Sequence, residues 1–428
     1  MKLTLKNIGK IDKATIEFYG LTVIGGENNT GKSTVGKVLF AICNSFFALD
    51  KKIEFERRTN VENLISRLYL GNGMRPFARL DENAIAGKIL KTLGNRVNES
   101  TDIDVQEEII DIIKEYDESR AKGIDEKILK DVSSNIKTVL QVTDYEIFTT
   151  ILEKKLVAEF NEQISNIFNE KTGEIQLEYK NQDFRTIVKD SFITEISHNV
   201  FLPFNADVIY IDDPFILENY RLSLPPFFYG YFDHQGYLRS KLNQFSDRGN
   251  VIDDIIVNEK LKDVFDKLSV VCGGDIVIDK PQVGYRRKGS KKALNIHNLS
   301  TGFKTFVILK ILLLNGSLGQ NGVLILDEPE IHLHPEWQLL FAEIIVLLQK
   351  EFDLYVLLNT HSPYFLRALE VYAAKHNVTD KCKYYLAENV KDKAVIADVT
   401  DDLEKIYAKL AHPLQKLEDE RWKDAESE

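Results

Sequence analysis

One octapeptide constrains this chain more than any other stretch: Gly26-Glu27-Asn28-Asn29-Thr30-Gly31-Lys32-Ser33. Its two outer glycines and closing lysine–hydroxyl pair match the pattern of a phosphate-binding loop. Such a loop needs a buried strand before it and a helix after it, and the sequence supplies both. Leu21–Ile24 is a short apolar run suited to a strand covered on both faces. From Thr34 onward, Val35, Val38, Leu39 and Ile42 recur at helical spacing. The loop's backbone N–H groups then face phosphate oxygens at the positive end of a helix dipole. Lys32 sets a compact positive charge against the β- and γ-phosphates of ATP, and Ser33 offers a hydroxyl to Mg2+. Gly26, Asn28, Asn29, Thr30, Gly31, Lys32, Ser33 and Thr34 are the expected nucleotide contacts.

The acidic counterpart lies far downstream. Val323–Leu326 reads as a fully buried strand that ends in Asp327 and Glu328. Parallel sheets bind ligands at the carboxyl edge to which such a strand delivers its last residues. Asp327 is expected to hold Mg2+ directly or through water, and Glu328 to act as the base that polarises the attacking water. A further strand, Leu354–Leu358, ends in Asn359-Thr360-His361-Ser362. It is expected beside the Asp327 strand, with His361 either hydrogen-bonding a γ-phosphate or serving structure alone.

Three more stretches carry a family likeness. Leu3–Ile11, Ala14–Phe18 and Leu21–Ile24 form an alternating N-terminal block. Leu299-Ser300-Thr301-Gly302-Phe303-Lys304 precedes the acidic strand, and Asp327-Glu328-Pro329-Glu330-Ile331-His332-Leu333-His334-Pro335 follows from it. As a set they resemble the ATP-binding-cassette (ABC) class of ATPases, in the soluble branch that holds the chromosome-maintenance and RecF-type DNA repair ATPases. The last stretch is similar to a narrower group, the overcoming-lysogenization-defect (OLD)-like ATPases of bacterial phage-defence systems. The likeness covers about residues 1–45 and 205–400.

That resemblance implies an α/β fold: an ABC-type ATPase head, a mixed β-sheet with flanking helices, carrying an inserted, mainly helical lobe. It also implies that Ser300 and Gly302 cap the γ-phosphate held by a second copy, with the helix Thr305–Leu314 aiming its N-terminus there. ATP would then join the chain into a homodimer or higher homo-oligomer, a self-complementary arrangement. The plainer alternative is that Ser300 caps its own helix. The chain departs from the family pattern in two places. Thr301 stands where transporters often have Gly, and a Gln for the Mg2+ shell is missing. Asp212 or Asp213, after the strand-like Val208–Ile211, either substitutes for that Gln or forms an exposed acidic turn. His332 and His334 alternate with apolar residues and lack a third metal ligand, so they read as part of the dimer-facing loop.

The expected organisation is an N-terminal ATPase segment at 1–47, a mostly helical insertion at 48–204, the rest of the ATPase at 205–400, and a C-terminal helix and tail at 401–428. Within the insertion, Val105, Ile109, Ile112 and Ile113 make one amphipathic stretch, Ile128 to Leu140 a second, and Thr149–Ile167 a third. None sustains the heptads of long coiled-coil arms. The aromatic-rich Leu224–Phe232 would pack lobe to core or meet a partner. After His361 come two expected strands, Lys383–Ala387 and Ala394–Val399, and a helix from Asp402. OLD-like nucleases add a Toprim metal-nuclease domain there, for which no room is left. A nucleolytic output is therefore expected on a separate effector subunit.

The net charge of −11 confines any nucleic-acid contact to a local patch. Arg286, Arg287, Lys288, Lys291 and Lys292 suggest a hairpin tip that meets phosphate backbone, meets an acidic partner, or keeps an edge soluble. Three scattered cysteines, Cys43, Cys272 and Cys382, and the lack of a signal or membrane-length apolar run point to a cytoplasmic protein. The expected role is an ATP-hydrolysing sensor or scaffold that controls a separately encoded nuclease in anti-phage defence, as in ATPases of the PARIS and Septu types. The rival is a DNA-repair ATPase of RecF type.

Overall fold

The computed structural model describes residues 1–74, 79–94, 104–167, 171–189, 191–197, 201–219, 232–244, 259, 261–279, 282–391 and 393–426. Strands β1 (Lys2–Ile8) and β2 (Ile11–Glu17) form an antiparallel pair, and β3 (Leu21–Gly26), buried throughout, leads through the glycine-rich loop into α1 (Lys32–Phe46). The chain divides into two compact units, one of residues 1–47 and 152–428 and the other of residues 48–151.

The smaller unit is helical. It holds α2 (Leu49–Gly71), α3 (Arg79–Leu93), α4 (Val105–Tyr116), α5 (Glu118–Lys122), α6 (Glu126–Gln141) and the start of α7 (Asp144–Phe160). Val61, Ile65, Leu68, Ile85, Ile89, Ile109, Ile113 and Ile136 are fully buried in its core. Asp104, Asp117 and Asp125 accept backbone N–H bonds at the starts of α4, α5 and α6, which satisfies donors that helix ends otherwise orphan.

The expected helical stretch 48–204 is interrupted. After α7 come β4 (Gly173–Tyr179), β5 (Gln182–Lys189) and β6 (Phe192–Ile196). In β4 the buried positions Gly173, Ile175, Leu177 and Tyr179 alternate with more exposed ones, the period of a half-covered strand. β4 pairs with β1, so this meander widens the ATPase sheet. The third expected helix also begins earlier and stops at Phe160, where Asn161 and Glu162 turn left-handed.

The larger unit continues through β7 (Val208–Ile211), a 3-10 turn (Pro214–Asn219), α8 (His234–Leu242), α9 (Lys262–Cys272), β8 (Asp275–Asp279), β9 (Gln282–Arg286) and β10 (Leu294–Asn295). Then follow α10 (Thr301–Leu314), β11 (Val323–Asp327), α11 (Pro335–Phe352), β12 (Tyr355–Thr360), α12 (Pro363–Lys375), β13 (Cys382–Val390), β14 (Lys393–Asp398) and α13 (Glu404–Glu426). Most of the aromatic-rich run, 224–231, lies outside the described residues. The main sheet has eleven strands in the order β6-β5-β4-β1-β2-β14-β13-β3-β12-β11-β7. Its β13-β3-β12-β11-β7 section is parallel, and the β6-β5-β4-β1-β2 wing is antiparallel. This is the expected α/β class, a mixed sheet with flanking helices. Among the described residues no helix is long and apolar enough to cross a membrane.

One ion cluster ties three helices together. The buried Glu343 of α11 accepts hydrogen bonds from Lys267 of α9 (2.6 Å), Lys375 of α12 (2.7 Å) and the adjoining His376 (3.0 Å). Burial alone would raise its pKa, but these three donors outweigh burial and bring it down to about 2. A carboxylate with a depressed folded pKa stabilises above its ordinary value and loses that contribution as pH falls through the folded one. Glu343→Gln is therefore expected to lower stability by roughly 1–3 kcal/mol at pH 7. In acid denaturation followed by circular dichroism, the gap to the wild type should close between about pH 4.5 and pH 2.

Candidate functional site

β3 sets the glycine-rich loop at the carboxyl edge of the parallel section. Gly26 has φ +156°, and a β-carbon there would lie 2.2 Å from the carbonyl oxygen of Ala387 on neighbouring β13. Asn29 (φ 61°) and Gly31 (φ 84°) are left-handed, the kind of alternation that gathers successive N–H groups into an anion-binding hollow. The Thr30 hydroxyl donates to the Glu27 carbonyl (2.8 Å), and Lys10 donates to the carbonyl of Asn29 (3.1 Å). These bonds fix the loop from inside and outside. Gly26→Ala forces a backbone collision that no rotamer relieves, and overpacking of this kind costs about 1–3 kcal/mol. Calorimetric titration with ATP should show at least about a tenfold loss of affinity in that variant.

Lys32 is buried at the loop's mouth. Its Nζ donates to the carbonyls of Gly26 (3.1 Å) and Glu27 (2.7 Å) and lies 3.8 Å from Glu328 Oε1. Burial draws its pKa down, against the opposing pull of Glu328, Asp327, Glu330 and Glu27. Ser33 is exposed in the first turn of α1 and Thr34 is half-buried beside it.

β11 lies between β12 and β7, and both neighbours hold its terminal carboxylate. Asn359 Nδ2 donates to Asp327 Oδ1 (3.0 Å), and the Tyr210 hydroxyl donates to Oδ2 (3.0 Å). Glu328 is left-handed (φ 48°), with its N–H bonded to the Asn359 carbonyl (2.9 Å). Such backbone strain in a non-glycine residue persists only where its surroundings enforce it. Glu328 Oε1 lies 3.3 Å from His361 Nδ1, a close approach outside hydrogen-bond geometry. Below them the buried Glu330 accepts from the Thr360 hydroxyl and the His361 N–H. Burial pushes its pKa up.

Sheet order thus brings together the loop, Lys32, Asp327, Glu328 and His361. The exposed Ser33 hydroxyl and the Asp327 carboxylate, a hard oxygen pair, suit Mg2+. Ser300 and Gly302 line an open cleft of about 490 Å3 with Thr301, His332, His334 and Trp337, and no residue of the phosphate loop is among its lining. α10 begins at Thr301, one turn earlier than expected. Ser300 takes its N-cap position without a side-chain capping bond. Lys304 in the first turn is buried against Glu218 of the 3-10 turn. Phe303 packs edge-on against Tyr285.

The basic stretch forms the expected tip between β9 and β10, with Arg287, Lys288, Lys291 and Lys292 exposed. Arg286 is paired with Asp275 (3.2 Å). Neither aspartate after β7 behaves as an exposed acidic turn. Asp212 turns inward to His234 Nε2 and Gln235 Nε2 (2.9 Å each), and Asp213 accepts the Phe215 N–H (2.8 Å).

Four residues at the site were given no role there by the sequence. Tyr210 and Asn359 grip Asp327 only because strand order makes them neighbours. From α13, Ile406 packs on Gly25, and Lys409 lies 3.3 Å from Glu27 Oε1.

Comparison with known proteins sets this geometry in context. The chain is 36% identical over 84 residues to the retron Vc95 probable ATPase of Vibrio cholerae serotype O1 biovar El Tor, covering 17% of this chain and 16% of that protein. The chain therefore spans under a fifth of that relative's length. Among solved structures, the SMC head domain from Thermotoga maritima is similar at a TM-score of 0.38 and 11% identity, over 93% of this chain and 98% of that one. An Smc head domain with a coiled coil and joint derived from Pyrococcus yayanosii gives 0.37 and 13%, over 96% and 99%. The model of the AAA ATPase domain family matches residues 1–366. With most of its length inside that match, the chain belongs to the AAA ATPase domain family.

Proposed function

We propose that the chain is a Mg2+-dependent ATP hydrolase that assembles around ATP and controls a separately encoded effector nuclease in cytoplasmic anti-phage defence. The observation that carries its chemistry is the approach of His361 Nδ1 to Glu328 Oε1 (3.3 Å), beside Lys32, at the carboxyl edge of the parallel section. In this reading Gly26, Asn28, Asn29, Thr30, Gly31 and Thr34 wrap the phosphates, and Lys32 turns from its own carbonyls to the β- and γ-phosphates. Ser33 and Asp327 would hold Mg2+, which when bound would supply positive charge to offset that of the phosphate oxygens. Glu328 accepts a proton from the water that attacks the γ-phosphorus as the bond to the β-bridging oxygen breaks, leaving ADP and phosphate. His361 donates to the γ-phosphate and keeps Glu328 aimed.

The assembly half of the reading rests on the Ser300–Gly302 cleft, which is lined without any residue of the phosphate loop. It is the surface through which a second copy completes the site. The defence half is supported by the OLD-like Asp327–Pro335 stretch and by the short likeness to a retron ATPase. The exposed tip of Arg287, Lys288, Lys291 and Lys292, with Arg286 at its base, favours a second reading, a RecF- or chromosome-maintenance-like ATPase that binds DNA directly.

Native purification from the host, with and without ATP, separates the two readings. A co-purifying nuclease is the expected result. If the lone protein instead binds duplex DNA tightly at physiological salt, and reversing the charges at the tip abolishes that binding, the repair reading replaces the defence reading.

A further inference from the structure

We propose that His234 is a positioning residue for this ATPase site, acting on Asp327 through the ring of Tyr210. The proposal rests on the reading of Asp327 as the Mg2+ carboxylate. In the β7–β11 register Tyr210 lies opposite Ile325, so its side chain shares the face of Asp327 two residues on. Asn359 is a short amide fixed by its own strand, whereas Tyr210 is a long lever. Its hydroxyl donates to Asp327 Oδ2 (3.0 Å), and because a phenolic O–H prefers the plane of its ring, the ring plane sets the direction of that donor.

That plane is set by its surroundings. The His234 ring stacks on Tyr210 with centroids 4.1 Å apart and planes 23° apart. Phe40 of α1 tilts against Tyr210 at 6.5 Å and meets His234 edge-on at 6.1 Å. Gly36 leaves room for the hydroxyl end, since a β-carbon there would sit 3.1 Å from it.

His234 in turn is held at both nitrogens. Nδ1 meets Glu159 Oε2 (2.7 Å), Nε2 meets Asp212 Oδ2 (2.9 Å), and its backbone N–H donates to Glu159 Oε1 (2.5 Å). A histidine between two carboxylates must carry both protons to donate to both. Burial pulls the His234 pKa down, but the bonds to Asp212 and Glu159 outweigh it and lift the pKa to about 9. Close by, Lys155 is buried over the rings of Phe40 and Tyr237 (5.4 Å each), and it and Glu159 come from the last turns of α7.

A buried charged triad gives little stability that well-packed apolar side chains would not match. What it does give is a flat ring that can neither rotate nor slide. Placed under Tyr210, it converts a mobile hydroxyl into a fixed donor on the metal-binding carboxylate. Partners one step removed from a metal ligand typically change metal affinity or activity by about 10–100-fold.

The test measures how much Mg2+ is needed to tighten binding of a fluorescent non-hydrolysable ATP analogue, together with steady-state turnover. Tyr210→Phe keeps the ring and removes only the hydroxyl, so its folding is not at risk. It should raise the half-saturating Mg2+ concentration about tenfold and lower kcat with little change in KM, leaving metal-free analogue binding unchanged. His234→Gln should do the same. The double variant should be no worse than Tyr210→Phe alone, because both act through one contact. Wild-type metal dependence in Tyr210→Phe, or effects that multiply in the double variant, would overturn the proposal. If the wild type itself shows no Mg2+-dependent nucleotide binding, the metal reading of Asp327 fails first, and the proposal with it.

Discussion

Glu328→Gln is expected to cut phosphate release by about 100- to 1,000-fold while ATP still binds, because loss of a positioned general base removes that order of rate. The amide keeps the size and reach of the carboxylate but accepts a proton poorly. The backbone bond from Glu328 N–H to the Asn359 carbonyl does not involve the side chain, so the left-handed turn is retained. Losing one negative charge beside Lys32, 3.8 Å away, also leaves more of that cation's attraction for incoming phosphate. The variant should therefore hold ATP at least as tightly as the wild type and stay assembled around it. Light scattering after size-exclusion chromatography with ATP should show a long-lived larger species, which in the wild type decays as ATP is consumed. An unchanged elution position under saturating ATP would remove the assembly half of the proposed function.

Ser300→Arg should be nearly as damaging, for a different reason. Ser300 is exposed, and its side chain makes no capping bond to its own helix, so the change leaves folding intact. A bulky cation in the cleft shared with Gly302, His332 and Trp337 keeps that one cleft from capping the phosphate held by a second copy. Turnover should fall about 100-fold, with binding of a fluorescent ATP analogue by the single chain unaffected. Lys32→Ala should have the reverse profile, with analogue binding lost and the cleft unharmed. Mixing the two inactive proteins then gives heterodimers with one intact composite site. Random two-fold pairing predicts recovery of about a quarter of wild-type activity. A mixture as inactive as its components would mean that each chain hydrolyses ATP by itself.

Much of this frame is legible in the residues. Leu21–Ile24, Val323–Leu326 and Leu354–Leu358 each carry the unbroken apolar run of a strand buried on both faces, and each becomes part of the parallel section. The strands after His361 and the helix after Asp402 read equally plainly. β4 was legible too: Ile175, Leu177 and Tyr179 alternate with Glu174, Gln176 and Glu178. Amphipathic helices upstream drew that stretch into the expected lobe, and only its pairing with β1 shows which sheet it joins. The support around Asp327 is of another kind. Tyr210 and His234 belong to no motif, and their importance comes from register and ring stacking between segments far apart in sequence. Periodicity reports which face of an element is covered. It does not report which neighbour covers it.

The strand order also dictates when the site can exist during synthesis. β3, which carries the phosphate loop, lies between β12 and β13, and β2 lies against β14. The loop strand is thus flanked on both sides by strands that are made much later than itself. Until residues 355–398 emerge, the loop strand has two open edges and an apolar face without cover. Non-local pairings of this kind fold slowly and leave aggregation-prone edges exposed. A nascent chain halted before β12 should be sensitive to protease and bound by chaperones. Nucleotide binding should appear only on release of the longer chain.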